Sequence, residues 1–253
     1  MDLQKTQAEA WWVDFFPAFR EMFGPRYPAK ETAALADFII RKLGLKKGDR
    51  FLDCPCGIGR ISFPLAKKSI RVTGVDITES YLNEIAVKAK RLGLRIKLVH
   101  SDMRRIDFDR EFDAAGNLGT SFGYFEKESD NELVLKKVFR ALKPGGKFLL
   151  DVGNRDRIIR QYEPFGLTEI GKTRILQSRH FDTARSVITA DWTVMESGRE
   201  EKVRSVLRLY SYHELITMMR KAGFVDIEGY GSVKGKPIDF DCRMMMVIGT
   251  KPK

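Results

Sequence analysis

The stretch Phe51-Leu52-Asp53-Cys54-Pro55-Cys56-Gly57-Ile58-Gly59-Arg60 puts a short apolar run directly before a Gly-x-Gly loop. Glycines at a strand-to-helix turn let the backbone approach a ligand closely and leave helix N-terminal N–H groups pointing at it. The next apolar run ends at Val75-Asp76, 17 residues after Gly59, where a carboxylate can accept both ribose hydroxyls of an adenosine moiety. A third run ends at Ser101-Asp102-Met103. A carboxylate beside an apolar side chain suits an adenine, whose exocyclic amine donates and whose face needs an apolar wall. Other chemistries fit less well. The position three after Gly59 is Ser62 and the position two before Gly57 is Pro55, so the loop lacks the Gly-x-Gly-x-x-Gly of a pyrophosphate-binding dinucleotide site. Cys54 and Cys56 with one residue between them, plus 3 isolated histidines, do not supply the ligand set of a zinc site.

Three strand ends act together only if one sheet edge collects them. Residues 50–54, 71–75, 96–100, 112–117 and 147–152 predict strands, and 60–67, 79–92 and 130–142 predict the helices between them, with Lys143-Pro144-Gly145-Gly146 as a tight turn into the fifth strand. That alternation is the signature of a parallel sheet covered by helices on both faces. Right-handed crossovers then bring the strands' carboxyl ends to one edge, where open α/β sheets bind ligands. The pattern changes between Lys172 and Tyr210, where 174–181, 187–196 and 202–210 read as three antiparallel strands separated by Asp182-Thr183-Ala184 and Ser197-Gly198-Arg199. A helix at 213–221 and strands at 224–229 and 243–250 complete the chain. Upstream, 31–43 predicts a helix ending at Gly44, and 8–23 places Trp11, Trp12, Phe15, Phe16, Phe19 and Phe23 at helical spacing. That aromatic face is either core packing or a lid over a bound cofactor.

With 253 residues and 43% hydrophobic content, the chain suits one large α/β domain carrying an insertion. No stretch approaches the roughly 18 apolar residues of a membrane span, and the start has no secretory pattern. The expectation is a cytoplasmic, unprocessed protein with reduced thiols and no membrane partner. The net charge of +11 invites a nucleic-acid reading. The basic residues are nevertheless scattered over helix faces among acids, without an RNA-binding motif, which leaves a nucleic-acid partner open without favouring one.

On these motifs the chain resembles the class I S-adenosylmethionine-dependent methyltransferases, whose first loop reads Leu-Asp-x-Gly-Cys-Gly-x-Gly. Leu52, Asp53, Cys56, Gly57 and Gly59 match, and Pro55 stands in place of the first glycine. The likeness continues through Val72-Thr73-Gly74-Val75-Asp76, Phe112-Asp113, Ala141-Leu142-Lys143-Pro144-Gly145-Gly146 and Ala222-Gly223-Phe224. It implies an α/β, Rossmann-like, seven-stranded and mostly parallel sheet with an antiparallel last strand, helices on both faces, and a small antiparallel β insertion. It also implies S-adenosyl-L-methionine as cofactor and S-adenosyl-L-homocysteine as product. By the same resemblance Asp53, Cys56, Gly57 and Gly59 would hold the methionine portion and Asp76 with Ile77 the ribose. Ser101, Asp102 and Met103 would hold the adenine, and Asn117 and Leu118 would lie beside the reactive methyl.

The segment Gly119-Thr120-Ser121-Phe122-Gly123-Tyr124-Phe125, with Arg208-Leu209-Tyr210 and Tyr230-Gly231, resembles a subgroup mostly associated with small-molecule methylation, including amino-sugar N-methyltransferases. The implied reaction is in-line transfer of a methyl group to N or O of a small-molecule acceptor. It requires alignment, exclusion of water and the handling of one proton, not a catalytic triad. Tyr124 and His180 are the catalytic candidates, and Tyr124, Arg208 and Tyr210 the acceptor-binding ones. Each has a plain alternative as a packed aromatic, a strand-surface histidine or a link between insertion and domain. An RNA or protein methyltransferase using the basic surface and a non-catalytic nucleotide-binding protein remain as other readings. The expected organisation is a helical cap or lid at 1–44, the cofactor-binding core at 45–171, the insertion at 172–210 and the rest of the core sheet at 211–253, in a monomer or homodimer.

Overall fold

The computed structural model of the protein describes residues 11, 12, 15, 16, 28–196 and 198–253. Phe19 and Phe23, part of the expected aromatic face, lie outside the described residues, as does Ser197.

The apolar runs become strands β1 (Arg50–Asp53), β2 (Arg71–Asp76), β3 (Ile96–His100), β4 (Phe112–Asn117) and β5 (Leu142–Gly153). Helices α1 (Ala29–Leu43), α2 (Ser62–Lys67), α3 (Glu79–Arg91) and α4 (Glu128–Ala141) alternate with them. A short helix α5 (Arg155–Arg160) leads to strands β6 (Phe165–Ile170), β7 (Thr173–Asp182), β8 (Val187–Glu196) and β9 (Arg199–Arg208). Helix α6 (Tyr212–Lys221) then precedes β10 (Val225–Tyr230) and β11 (Met244–Thr250).

One sheet has seven strands in the order β10-β11-β5-β4-β1-β2-β3, and the other has four in the order β6-β7-β8-β9. In the large sheet only β11 runs against its neighbours. This is the seven-stranded, Rossmann-like sheet with a reversed last strand and a separate antiparallel insertion that the sequence predicts. Both faces are covered, so consecutive apolar residues of a central strand serve opposite layers. Phe51 packs with Phe38 and Ile39 of α1 and Leu65 of α2. Its neighbour Leu52 packs with Leu135 of α4 and Leu215 of α6 on the other side.

Two elements go beyond the predicted pattern. Strand β6 pairs with β7 from Phe165↔Ser178 to Ile170↔Thr173, yet all its residues are exposed or half-exposed. An edge strand that buries nothing has no inward apolar alternation to announce it. Helix α5 likewise buries none of its residues and starts on Asn154, whose side chain accepts N–H bonds from Asp156 and Arg157. The expected tight turn at 143–146 lies inside β5, where the pairing with β4 shifts register between Leu142 and Lys147. Among the described residues no helix is long and apolar enough to cross a membrane.

Candidate functional site

The carboxyl ends of β1, β2 and β3 open onto a cleft. One wall is supplied by Gly57 after β1, Asp76 and Ile77 at the end of β2, and Ser101, Asp102 and Met103 after β3. The opposite wall is aromatic, with Trp12 and Phe16 from the helical turn near the N-terminus and Tyr124 and Phe125 from the β4–α4 loop.

Asp76 lies at the junction of two elements. Its Oδ2 accepts the Gly57 N–H at 2.7 Å and its Oδ1 the Thr78 N–H at 2.9 Å, so it closes the glycine loop and starts α3. Burial raises its pKa above the ordinary carboxylate value, against the pull of those two N–H groups. The carboxylate also lines the cleft, where its oxygens can accept from a ligand. Gly57 has φ +52°, and a side chain there would meet nothing within 4 Å, so its backbone is bare toward the cleft. The glycine N–H groups themselves are committed internally, Gly57 to Asp76 and Gly59 to the Cys56 carbonyl. The loop therefore admits a ligand by its openness; those two amides are not aimed at one.

Asp53, one strand over, turns away from the cleft. It is 2% exposed, accepts the Ser62 hydroxyl at 2.6 Å, and burial pushes its pKa up to about 7. Cys56 packs with Phe63, Leu82 and Ile85. Gly59 faces Phe63 and Ile85. Asn117 is fully buried behind Met103, donating to its sulfur at 3.6 Å, and its Oδ1 has no hydrogen-bond partner among the described residues. Leu118 belongs to the layer under α1 and α2. Of the residues named from sequence, the structure thus brings Gly57, Asp76, Ile77, Ser101, Asp102, Met103 and Tyr124 to the cleft and sets Asp53, Cys56, Gly59, Asn117 and Leu118 behind it.

The remaining candidates lie away from the cleft. His180 is exposed on β7, on the face opposite buried Ile175 and Gln177, and does not line the cleft. Strand alternation alone places it outward. Arg208 bonds the Leu209 carbonyl and Glu214 and lies over the Tyr210 ring, with Glu128 near its Nε. Tyr210 is 3% exposed against Phe122. Together they join the insertion to α4 and α6 and do not line the cleft.

The aromatic wall is shaped by residues that the sequence set on one helical aromatic face, with core packing and a lid as its two readings. Trp11, Trp12 and Phe16 gather around Tyr124 with ring centroids 5.0, 6.2 and 5.6 Å away. Tyr81 of α3 donates to the Phe16 carbonyl at 2.5 Å and ties that turn to the core. The β4–α4 loop is pinned from below by Asp151, whose carboxylate accepts the Gly119 N–H at 3.3 Å and whose carbonyl accepts the Thr120 N–H at 2.9 Å. Burial pushes Asp151 up to about 6. On its far side the loop pairs with β9 through Arg208 N–H to the Gly123 carbonyl at 2.8 Å. Gly123 has φ +101°, and a side chain there would run into the Arg208 carbonyl. Only glycine satisfies both conditions. The signal was present as Gly-Tyr-Phe after the fourth strand, but its partner lay 85 residues downstream (208 minus 123).

The cleft fits an adenosyl group. Asp76 presents a carboxylate to the cleft, Ile77 and Met103 are apolar, and the Gly57 backbone is open. A family model described as a methyltransferase domain matches residues 51–146, from β1 into β5. The cypemycin N-terminal methyltransferase of Streptomyces sp is 34% identical over 215 residues, covering 79% of this chain and 82% of that one. The demethylmenaquinone methyltransferase of Geobacillus kaustophilus is 31% identical over 202 residues, covering 75% and 76%. The match spans only about half the length of two other bacterial relatives, 46% and 49%. Among solved structures, an S-adenosylmethionine-dependent methyltransferase from Clostridium acetobutylicum superposes with a TM-score of 0.80 over 96% of this chain and 99% of that one; at 16% identity it speaks for the fold. Motif, sheet order and relatives agree: the chain belongs to the class I S-adenosylmethionine-dependent methyltransferases.

Proposed function

We propose that the protein transfers a methyl group from S-adenosylmethionine to a nitrogen or oxygen of a small, largely apolar acceptor. The observation that carries this reading is the composition of the cleft: the wall facing Asp76 and Asp102 is built from Trp12, Phe16, Tyr124 and Phe125, and no lysine or arginine lines the cleft among the described residues. A polyanionic acceptor needs cationic contacts at the mouth. An apolar or planar acceptor needs rings. One relative is named for the cypemycin N-terminus and another for demethylmenaquinone, so the acceptor class is argued from the cleft and not from kinship.

When bound, the cofactor supplies a methyl group on an already activated sulfonium. Asp76 would hold its ribose hydroxyls, Ile77 and Met103 would sandwich the adenine with Asp102 at its edge, and Gly57 would leave room for the methionine arm. Asp53 supports this arrangement through Ser62 at the start of α2, without touching the ligand. The aromatic wall excludes water and orders the acceptor against the cofactor. Tyr124, with its hydroxyl-bearing ring inside that wall, orients the acceptor, and Ser121 is the other hydroxyl of that loop lining the cleft. In this reading Trp12 and Phe16 cover the cleft while α1 packs into the core, the loops of the seven-stranded sheet bind the cofactor, and the small sheet buttresses the acceptor side, where Trp192 lies 5.8 Å from Phe15.

Calorimetric titration with S-adenosylmethionine, S-adenosylhomocysteine and NAD tests the site before an acceptor is known. Binding of both sulfur ligands without a response to NAD is the expected result. A response to NAD alone overturns the reading. With binding established, methyl transfer to a panel of apolar amines and phenols, and none to RNA, is expected; the reverse selectivity replaces the acceptor assignment.

A further inference from the structure

Arg104 stands directly behind the strand end that carries Asp102 and does not line the cleft. Its backbone N–H donates to Asp102 Oδ1 at 2.8 Å, its Nε to Oδ1 and Oδ2 at 3.2 and 3.1 Å, and its Nη2 to Oδ2 at 2.7 Å. The other arm, Nη1, reaches Asp130 on the first turn of α4 at 2.8 Å. The guanidinium carbon lies 4.2 Å from the centroid of the Phe125 ring. One planar cation is thereby held by a carboxylate on each side and by a ring face. The Asp102 side chain, 11% exposed, has its plane fixed by a bidentate fork.

A carboxylate offers about four lone-pair directions. Arg104 fills most of them, leaving the Asp102 side chain fixed in place and able to take one further donor from the cleft. A fixed anion at the edge of a bound base attracts an exocyclic amine and repels a keto oxygen in the same place. A freely rotating carboxylate would discriminate far less, because it could turn away from the wrong base.

We propose that Arg104 is a specificity-determining positioning residue: by clamping Asp102 it makes the cofactor site select a base bearing an exocyclic amine over one bearing a keto oxygen. This rests on the reading of Asp102 and Met103 as the adenine-binding end of the cleft. A lysine could supply the charge but not the fork, so the clamp depends on guanidinium geometry as well as on sign.

The test compares calorimetric affinities for S-adenosylhomocysteine and S-inosylhomocysteine, which differ only at one base edge: a 6-amine with a bare N1 against a 6-keto oxygen with an N1–H. The full-length chain, Arg104→Met, Arg104→Lys, Asp102→Asn and Asp130→Asn are measured side by side. The unaltered protein is expected to favour the adenine ligand by about thirtyfold. Arg104→Met should bring that ratio to within about threefold of unity, chiefly by weakening the adenine ligand, with Arg104→Lys between the two. Asp130→Asn, which loosens only the outer arm, should lower the ratio about twofold to threefold. A structural weakening moves both ligands equally and leaves the ratio alone. If Asp102→Asn abolishes the preference while the Arg104 and Asp130 variants keep it, Arg104 has no such role and the adenine assignment stands. If the unaltered protein shows no preference and Asp102→Asn changes nothing, the adenine assignment itself fails. Should Arg104→Met not fold, an unchanged ratio in both Arg104→Lys and Asp130→Asn overturns the proposal.

Discussion

On the wall built by β1, β2 and β3, polar groups set the positions: Asp76 ties the glycine loop to α3, and Arg104 fixes Asp102. On the wall opposite, rings set them, with Trp11, Trp12, Phe16 and Tyr124 in mutual contact and the β4–α4 loop held by backbone bonds to β5 and β9. The first wall discriminates by hydrogen-bond geometry and tolerates few substitutions. The second discriminates by shape, which can change with one ring at a time while the cofactor half stays intact. Under the proposed function, that difference assigns the first wall to the shared cofactor and the second to the acceptor.

Substitutions can break or sharpen that contrast. The largest effect is expected for Asp53→Asn in the ligand-free protein. Because burial raises Asp53 to about 7 from 3.8, the folded state binds a proton that the unfolded chain has released; this advantage is full below about pH 4 and is lost as pH rises through 7. The variant should therefore gain on the native protein by up to about 4 kcal/mol at pH 8 and by little at pH 4, read from urea unfolding at both pH values. A pH-independent difference would mean that Asp53 is not carrying the titration.

Gly123→Ala comes next. It puts a methyl group against the Arg208 carbonyl at φ +101° and should cost about 3 kcal/mol of unfolding free energy, whereas Gly57→Ala, in open space, should cost about 1 kcal/mol and lower cofactor affinity instead. Equal stability losses at the two glycines would erase the distinction between a clamped loop and an open one. Asp76→Ala removes the group that would meet the ribose and is expected to weaken S-adenosylhomocysteine about a hundredfold by calorimetry, less than tenfold if the wall is held by packing instead. The smallest effect belongs to Tyr124→Phe, which keeps the ring. Cofactor affinity should change less than threefold, and a larger loss would move Tyr124 to the cofactor side.

How much of this was legible in the sequence follows the same division. The parallel core announces itself because a strand buried on both faces needs a continuous apolar run, and Phe51-Leu52 and Phe148-Leu149-Leu150 have nowhere else to go. Asp76 and Asp102 were readable because a charge at the end of such a run must face either solvent or a ligand. Asp53 carries the same signal, but its side chain finds Ser62, nine positions on, and no local pattern distinguishes those outcomes. Arg208 and Tyr210 resembled acceptor contacts by type. Their role as a joint depends on Glu128 and Phe122, brought close only by the fold. His180 was chosen for its chemistry alone, and strand alternation turns it outward. Strand β6 escaped notice because an edge strand that buries nothing leaves no mark in the hydrophobic pattern.

The chain has 3 tryptophans, and each sits on or beside the aromatic wall: Trp11 and Trp12 against Tyr124, and Trp192 against Phe15. The wall bearing Asp76 and Asp102 has none. Tryptophan emission, excited beyond the tyrosine band, is consequently a label-free optical readout centred on one side of the cleft. An acceptor sliding between the rings would be seen directly by its quenching or spectral shift, so candidate acceptors can be sorted by light before any methylated product is isolated.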